Sequence, residues 1–85
     1  MARIQGRVQG VGFRYHTQIK ARQLGLHGWV RNFPDGSVEA CISGSTEHIV
    51  AMQAWLKHGP TYADVSHIHF SPIENDPSLV GFVIR

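Results

Sequence analysis

Gly6-Arg7-Val8-Gln9-Gly10-Val11-Gly12-Phe13-Arg14 sets a strand, a glycine-bearing loop and a helix start in immediate succession. Upstream, Ile4, Gly6 and Val8 alternate with Arg3, Gln5 and Arg7, a period of two that predicts a strand with one buried face. Downstream, Phe13, Thr17, Ala21 and Leu24 fall at i, i+4, i+8 and i+11, one face of an α-helix, with Lys20 and Arg22 on its solvent side. Gly25 suits the position that ends such a helix. The junction offers an anion free backbone N–H groups and the positive end of the helix dipole. Its glycines let the backbone curl around that anion. Arg14 in the first helical turn opposes the dipole, which costs about 0.3–1 kcal/mol unless an anion compensates it. A phosphate or carboxylate between Arg14 and the loop would do so. A tight turn with an arginine directed into water has the same spacing, and spacing alone leaves both readings open. No Gly-Lys-Ser/Thr follows, so the loop is not of the nucleotide-triphosphate type. The chain is also too short for a dinucleotide-binding domain.

The rest of the chain extends the pattern. His27 to Phe33 reads as a second strand containing Trp29, Val30 and Phe33. Pro34-Asp35-Gly36 is a turn: proline presets φ, aspartate caps its own backbone, and glycine tolerates φ > 0. Val38, Ala40 and Ile42 then share one face of a third strand, which makes strands two and three a hairpin. Ser45 is the expected N-cap of a second helix, with Glu47 in its first turn and Ile49, Met52 and Leu56 on its buried face. Gly59-Pro60 ends it. Ile68 and Phe70 alternate with His67 and His69 in a fourth strand, and Val65 lies out of phase, so that strand begins after it or contains a bulge. Pro72 to Ser78 is a polar connection, and Val80, Phe82 and Ile84 form a fifth strand. The order β-α-β-β-α-β, with an added terminal strand, predicts a ferredoxin-like α/β (α+β) sandwich: two helices on one face of a mixed, mostly antiparallel sheet.

With 85 residues the chain is expected to be a single domain, residues 1–85. It is 42% hydrophobic and 16% charged, which is ordinary for a globular chain and excludes a disordered one. No apolar run is long enough to span a bilayer, and Met1-Ala2-Arg3-Ile4 lacks a signal-peptide core. A lone cysteine, Cys41, allows no internal disulfide. Together these favour the cytoplasm and no membrane partner; a monomer is expected. The net charge of +2 suits an anionic ligand, but the basic residues form no run of the nucleic-acid-tail kind.

Gly6-Arg7-Val8-Gln9-Gly10-Val11-Gly12-Phe13-Arg14 resembles the signature of the acylphosphatase family. Leu24-Gly25-Leu26-His27-Gly28-Trp29-Val30-Arg31-Asn32-Phe33-Pro34-Asp35-Gly36-Ser37-Val38-Glu39 is similar to the family's second motif at the expected distance. Trp55-Leu56 followed by Gly59-Pro60, and the terminal Gly81-Phe82-Val83-Ile84-Arg85, agree as well. Two long motifs in the right order, spread over essentially the whole chain, are far more specific than a glycine loop alone. The resemblance implies hydrolysis of a small acyl phosphate to a carboxylate and inorganic phosphate, with no metal and no cofactor. It implies that Gln9, Gly10, Val11, Gly12, Phe13 and Arg14 bind the phosphoryl group, that Arg14 is the phosphate-binding arginine, and that Asn32 orients water. Phosphate would then be product or inhibitor. The chemistry is coherent. The Arg14 fork can hold two phosphate oxygens. Asn32 offers a donor and an acceptor but no base at neutral pH. An acyl phosphate has a good leaving group, so positioning and charge stabilisation can suffice. The chain has Thr61-Tyr62 where the family often has a second proline or small residue, and only Met1 to Gln5 precede the first motif, which predicts a short first strand with few ladder bonds.

Other constellations carry less. Cys41 has Glu47, not arginine, six residues on, so a cysteine-phosphatase loop is absent, and a strand-face thiol between Ala40 and Ile42 is expected instead. His67 and His69 share a strand face at a spacing that can bind metal, but no third ligand is evident nearby and a polar sheet face explains them. His16 falls near the anion loop, either to assist or as surface decoration. Asp35 and Glu39 are not paired for acid–base work. An RNA-recognition module shares this topology, but its stacking aromatics belong on the third strand, and Ser37 to Ser43 has none. Two alternatives to a free-standing enzyme remain: a nonenzymatic anion- or RNA-binding module, and the acylphosphatase-like part of a larger carbamoyl-transfer maturation protein. A chain ending at strand five with no linker favours the enzyme, with no nucleic-acid partner.

Overall fold

The computed structural model describes residues 1–73, 76 and 78–85. Its strands are β1 (Ala2–Arg7), β2 (His27–Asn32), β3 (Val38–Ser43), β4 (Asp64–Phe70) and β5 (Phe82–Ile84); its helices are α1 (Phe13–Gln23) and α2 (Thr46–Leu56). The sheet order is β4-β1-β3-β2-β5, antiparallel except for the β2–β5 pair. Both helices lie on one face, and the ferredoxin-like α/β expectation holds. None of the described helices is long and apolar enough to cross a membrane.

Each helix buries the face its periodicity marks. Phe13, Thr17 and Ala21 of α1 are buried, as are Met52 and Leu56 of α2, with Leu24 and Ile49 partly buried against the same core. The sheet answers with Ala2, Ile4, Val30, Val38, Ala40, Ile42 and Phe82. The Ser45 hydroxyl accepts from the His48 amide, as an N-cap should. Gly25 takes the left-handed conformation after α1.

The strand expectations need four adjustments. The buried alternation of β1 is Ala2 and Ile4; Gly6 is exposed, and Val8 is buried just past the strand end. Opposite Gly6 the partner strand bulges: one step from Gln5 to Gly6 on β1 is matched by two steps on β4, from His67 to Val65. The bulge lies within β4, which starts at Asp64, and that explains the phase of Val65. β1 also pairs from its first residue, Ala2, on both sides, and the Met1 amino group and carbonyl extend the ladder to Ser71 at 3.0 and 2.9 Å. The strand is therefore not starved of ladder bonds at its start. β2 stops at Asn32, leaving Phe33 in the turn. β5 has only Phe82–Ile84, and Val80 is 79% exposed outside it, because Gly81 turns left-handed and breaks the alternation. Of the Pro72–Ser78 connection, residues 74, 75 and 77 lie outside the described residues.

The sheet face away from the helices carries Trp29 and Phe33 from β2 and its turn. Arginines cover them: Arg31 and Arg85 over Trp29 at 5.0 and 4.8 Å, and Arg3 over Phe33 at 4.0 Å. Cys41 is buried opposite Trp29, and burial pushes its thiol pKa up, so it stays protonated and unreactive. Glu39 accepts from Arg3 at 2.7 Å and from Arg31 at 2.9 and 2.7 Å. It is a buried ion-pair carboxylate.

Candidate active site

Strands β1 and β2 are both antiparallel to β3, which lies between them, so they run parallel to each other. The loop after β1 and the residue ending β2 therefore meet at one edge of the sheet. A cavity of about 210 Å³ lies there, lined by Val8, Gly10, Gly12, Phe13, Arg14, Tyr15, Asn32 and Ile84.

The loop is held from below by its apolar residues. Val8 and Phe13 are buried, Val11 packs on the core, and the Phe13 ring meets Trp55 at 6.0 Å. This anchoring leaves the backbone uppermost. Gly10 and Gly12 both have φ near +75°, at 74° and 76°, a region that side-chain-bearing residues enter at a cost of about 1–2 kcal/mol. Gly12 is also the N-cap of α1, which has no side-chain cap. No carbonyl of the described residues accepts from the amides of Gly10 to Tyr15. The free end of α1 contrasts with that of α2, where Ser45 does the capping.

Arg14 is exposed in the first turn of α1, where no acidic residue stands, and has no carboxylate partner among the described residues. Asn32, half-buried on the opposite wall, has a buried Oδ1 with no hydrogen-bond partner. An unsatisfied buried acceptor costs about 1–3 kcal/mol. The arrangement thus presents donors and one guanidinium from the loop, and an unused acceptor from β2, to the same small space.

Of the residues singled out in the sequence, Gly10, Gly12, Phe13, Arg14 and Asn32 come together. Gln9 and Val11 do not line the cavity: Val11 faces the core, and the Gln9 side chain bonds to the Phe33 and Ser37 carbonyls at 2.8 and 2.9 Å. His16 stands outside the lining, edge-on to Tyr15 with ring centres 5.5 Å apart. Sequence reasoning missed Tyr15 and Ile84 as walls. Tyr15 sits in the same helical turn as Arg14, so its neighbourhood was readable, whereas Ile84 arrives only through the β2–β5 pairing. His67 and His69 lie on β4 along the open face, and no group of three His, Cys, Asp or Glu able to hold a metal occurs among the described residues.

The model of the acylphosphatase family matches residues 1–84. The chain belongs to the acylphosphatase family. An acylphosphatase of Thermococcus kodakarensis is 49% identical over 82 residues, 96% of this chain and 89% of that protein. Acylphosphatase 2 of Ralstonia nicotianae is 46% identical, again over 96% of this chain and 86% of its own. The crystal structure of acylphosphatase from Bacillus subtilis superposes with a TM-score of 0.94 at 33% identity, covering 99% of this chain and 93% of that one. HypF of T. kodakarensis also matches, with a TM-score of 0.86 and 29% identity, but there the chain covers only 11% of the larger protein. The high shared coverage with the small acylphosphatases makes them the apt comparison. Acylphosphatases are hydrolases acting on acyl phosphates, and this chain spans 89%, 86% and 93% of the three small relatives named above.

Proposed function

We propose that the chain hydrolyses small acyl phosphates to a carboxylate and inorganic phosphate, with the loop from Gln9 to Arg14 holding the phosphoryl group and Asn32 aiming the attacking water. The observation that carries this reading is the buried, unpartnered Oδ1 of Asn32 across one small cavity from Arg14 and the uncapped end of α1. Arg14 takes phosphoryl oxygens through its guanidinium, and the free loop amides take others. Asn32 Oδ1 accepts a hydrogen bond from water and points its lone pair at phosphorus. The water oxygen bonds to phosphorus as the bond from phosphorus to the bridging oxygen breaks. The electron pair leaves with the carboxylate, and the water's proton passes to a phosphoryl oxygen of the substrate. No protein base is required, because the leaving carboxylate is a weak base and the charge on the phosphoryl oxygens is already held.

The acyl group projects from a shallow cavity toward Tyr15 and Ile84, both exposed, so a range of small acyl groups fits. Phosphate, the product, occupies the same loop and inhibits. The reading extends to residues 1–85 as one acylphosphatase domain working as a cytoplasmic monomer, supported by the family match over 1–84 and a single buried cysteine thiol. The test is hydrolysis of a simple aromatic acyl phosphate, with chelator present, by wild type and by Asn32→Ala. The expected result is turnover by wild type that chelator does not touch, and a fall of roughly 10²–10³-fold in kcat for the variant. No turnover by folded wild type refutes the reading.

A further inference from the structure

Gln9 belongs to the phosphate loop by sequence, but its side chain is engaged elsewhere. A carboxamide nitrogen has two hydrogens. Gln9 Nε2 gives them to the Phe33 carbonyl at 2.8 Å and the Ser37 carbonyl at 2.9 Å. Only Oε1 is left, an acceptor that an anionic phosphoryl group repels. The Gln9 side chain is therefore no phosphate ligand.

Its two partners are the carbonyls that close the β2–β3 hairpin. The Phe33 amide donates to the Ser37 carbonyl at 2.8 Å and the Gly36 amide to the Phe33 carbonyl at 3.1 Å. The Asp35 carboxylate fixes the same turn by accepting from the Ser37 amide at 2.9 Å. Asn32 immediately precedes Phe33 and forms the last rung of the hairpin, opposite Val38. The loop follows β1, Asn32 ends β2, and β3 stands between those strands. No direct ladder sets the distance from the loop to Asn32. The Gln9 carboxamide spans that gap.

Resting on the function proposed above, we infer that Gln9 is a positioning residue that fixes Asn32 relative to the phosphate loop. Its side chain touches neither phosphate nor water, and acts through the backbone next to Asn32. Gln9→Leu removes both donors and keeps the bulk. Since a misplacement of about 1 Å costs on the order of 10²-fold in rate, kcat is expected to fall roughly 10- to 100-fold. KM and the dissociation constant for inorganic phosphate stay within about threefold, because every phosphate ligand remains.

The deciding measurement is the pair Gln9→Leu and Asn32→Ala with their double variant, assayed at high enzyme concentration on one aromatic acyl phosphate, with thermal unfolding of each. If Gln9 works through Asn32, the leucine substitution costs less than about twofold in kcat once Asn32 is gone. An equal loss in both backgrounds, or no loss in the single variant, overturns the inference while leaving the function intact. Wild-type kcat in Asn32→Ala overturns both. Gln9→Glu supplies a second readout. Its carboxylate faces two carbonyl oxygens at neutral pH, so kcat is as low as for leucine, and it recovers as acid protonates the group and restores one donor. A flat ratio to wild type across pH contradicts the inference.

Discussion

Glu39 is 7% exposed, and burial alone would raise its pKa. Hydrogen bonds from Arg3 and Arg31, and their charges, outweigh that and hold its carboxyl below the ordinary 4.5. A carboxyl whose folded pKa is depressed contributes stability above its unfolded value, and that contribution is lost as pH falls through the folded value. Glu39→Gln is therefore expected to cost about 2 kcal/mol at neutral pH. The gap to wild type should narrow steadily once pH drops below 4.5, the value Glu39 takes when unfolded. Thermal unfolding from pH 7 to pH 3 checks this, and a gap constant with pH contradicts it. None of this was visible in the sequence, where Glu39 is only one acidic residue in a strand. Its partner Arg3 is 36 residues away and meets it only through the β1–β3 pairing. The same distance effect hid the engagement of Gln9, whose acceptors lie 24 and 28 residues on. By contrast the candidates Arg14 and Asn32, which line one cavity, could be singled out in the sequence because each sits within a long contiguous motif.

At the scale of elements, the two helices differ at their N-termini. α2 is capped by Ser45, while α1 begins from Gly12 in the left-handed region with no side-chain cap. A serine or aspartate at position 12 would suit a helix that only had to be stable. Glycine there leaves the first-turn amides without a side-chain acceptor. A Cβ on Gly12 meets nothing closer than His16 Cδ2 at 3.4 Å, so the cost of Gly12→Ala is backbone strain at φ 76° rather than collision. The expected loss is about 1–2 kcal/mol, a Tm drop of roughly 4–15 °C for a domain of this size. Phosphate should also stabilise the variant less than it stabilises wild type. Unfolding scans with and without phosphate measure both effects. Helix faces and the hairpin turn were legible because their periodicity and turn chemistry are local. The strand edges were less so: the β4 bulge was signalled only by the phase of Val65, and the kink at Gly81 removed Val80 from a strand that its alternation had promised.

At the scale of the molecule, the fold matters because it returns β2 parallel to β1 through α1 and slots β3 between them. That topology places a loop and a strand end, distant in sequence, on opposite walls of one small cavity. The order of elements made this legible before any coordinates, as did the family motifs. The walls Tyr15 and Ile84 were not, since β5 is only three residues long and its parallel pairing with β2 leaves no mark in the sequence. The central claim is a division of labour across the cavity: Arg14 holds phosphate and Asn32 works on water. The most direct test is titration of inorganic phosphate into wild type, Arg14→Ala and Asn32→Ala, each checked for folding. Loss of a bidentate charge-assisted contact should weaken phosphate binding roughly 30-fold or more in Arg14→Ala, with Asn32→Ala staying within about threefold of wild type. Unchanged phosphate affinity in folded Arg14→Ala would contradict the account.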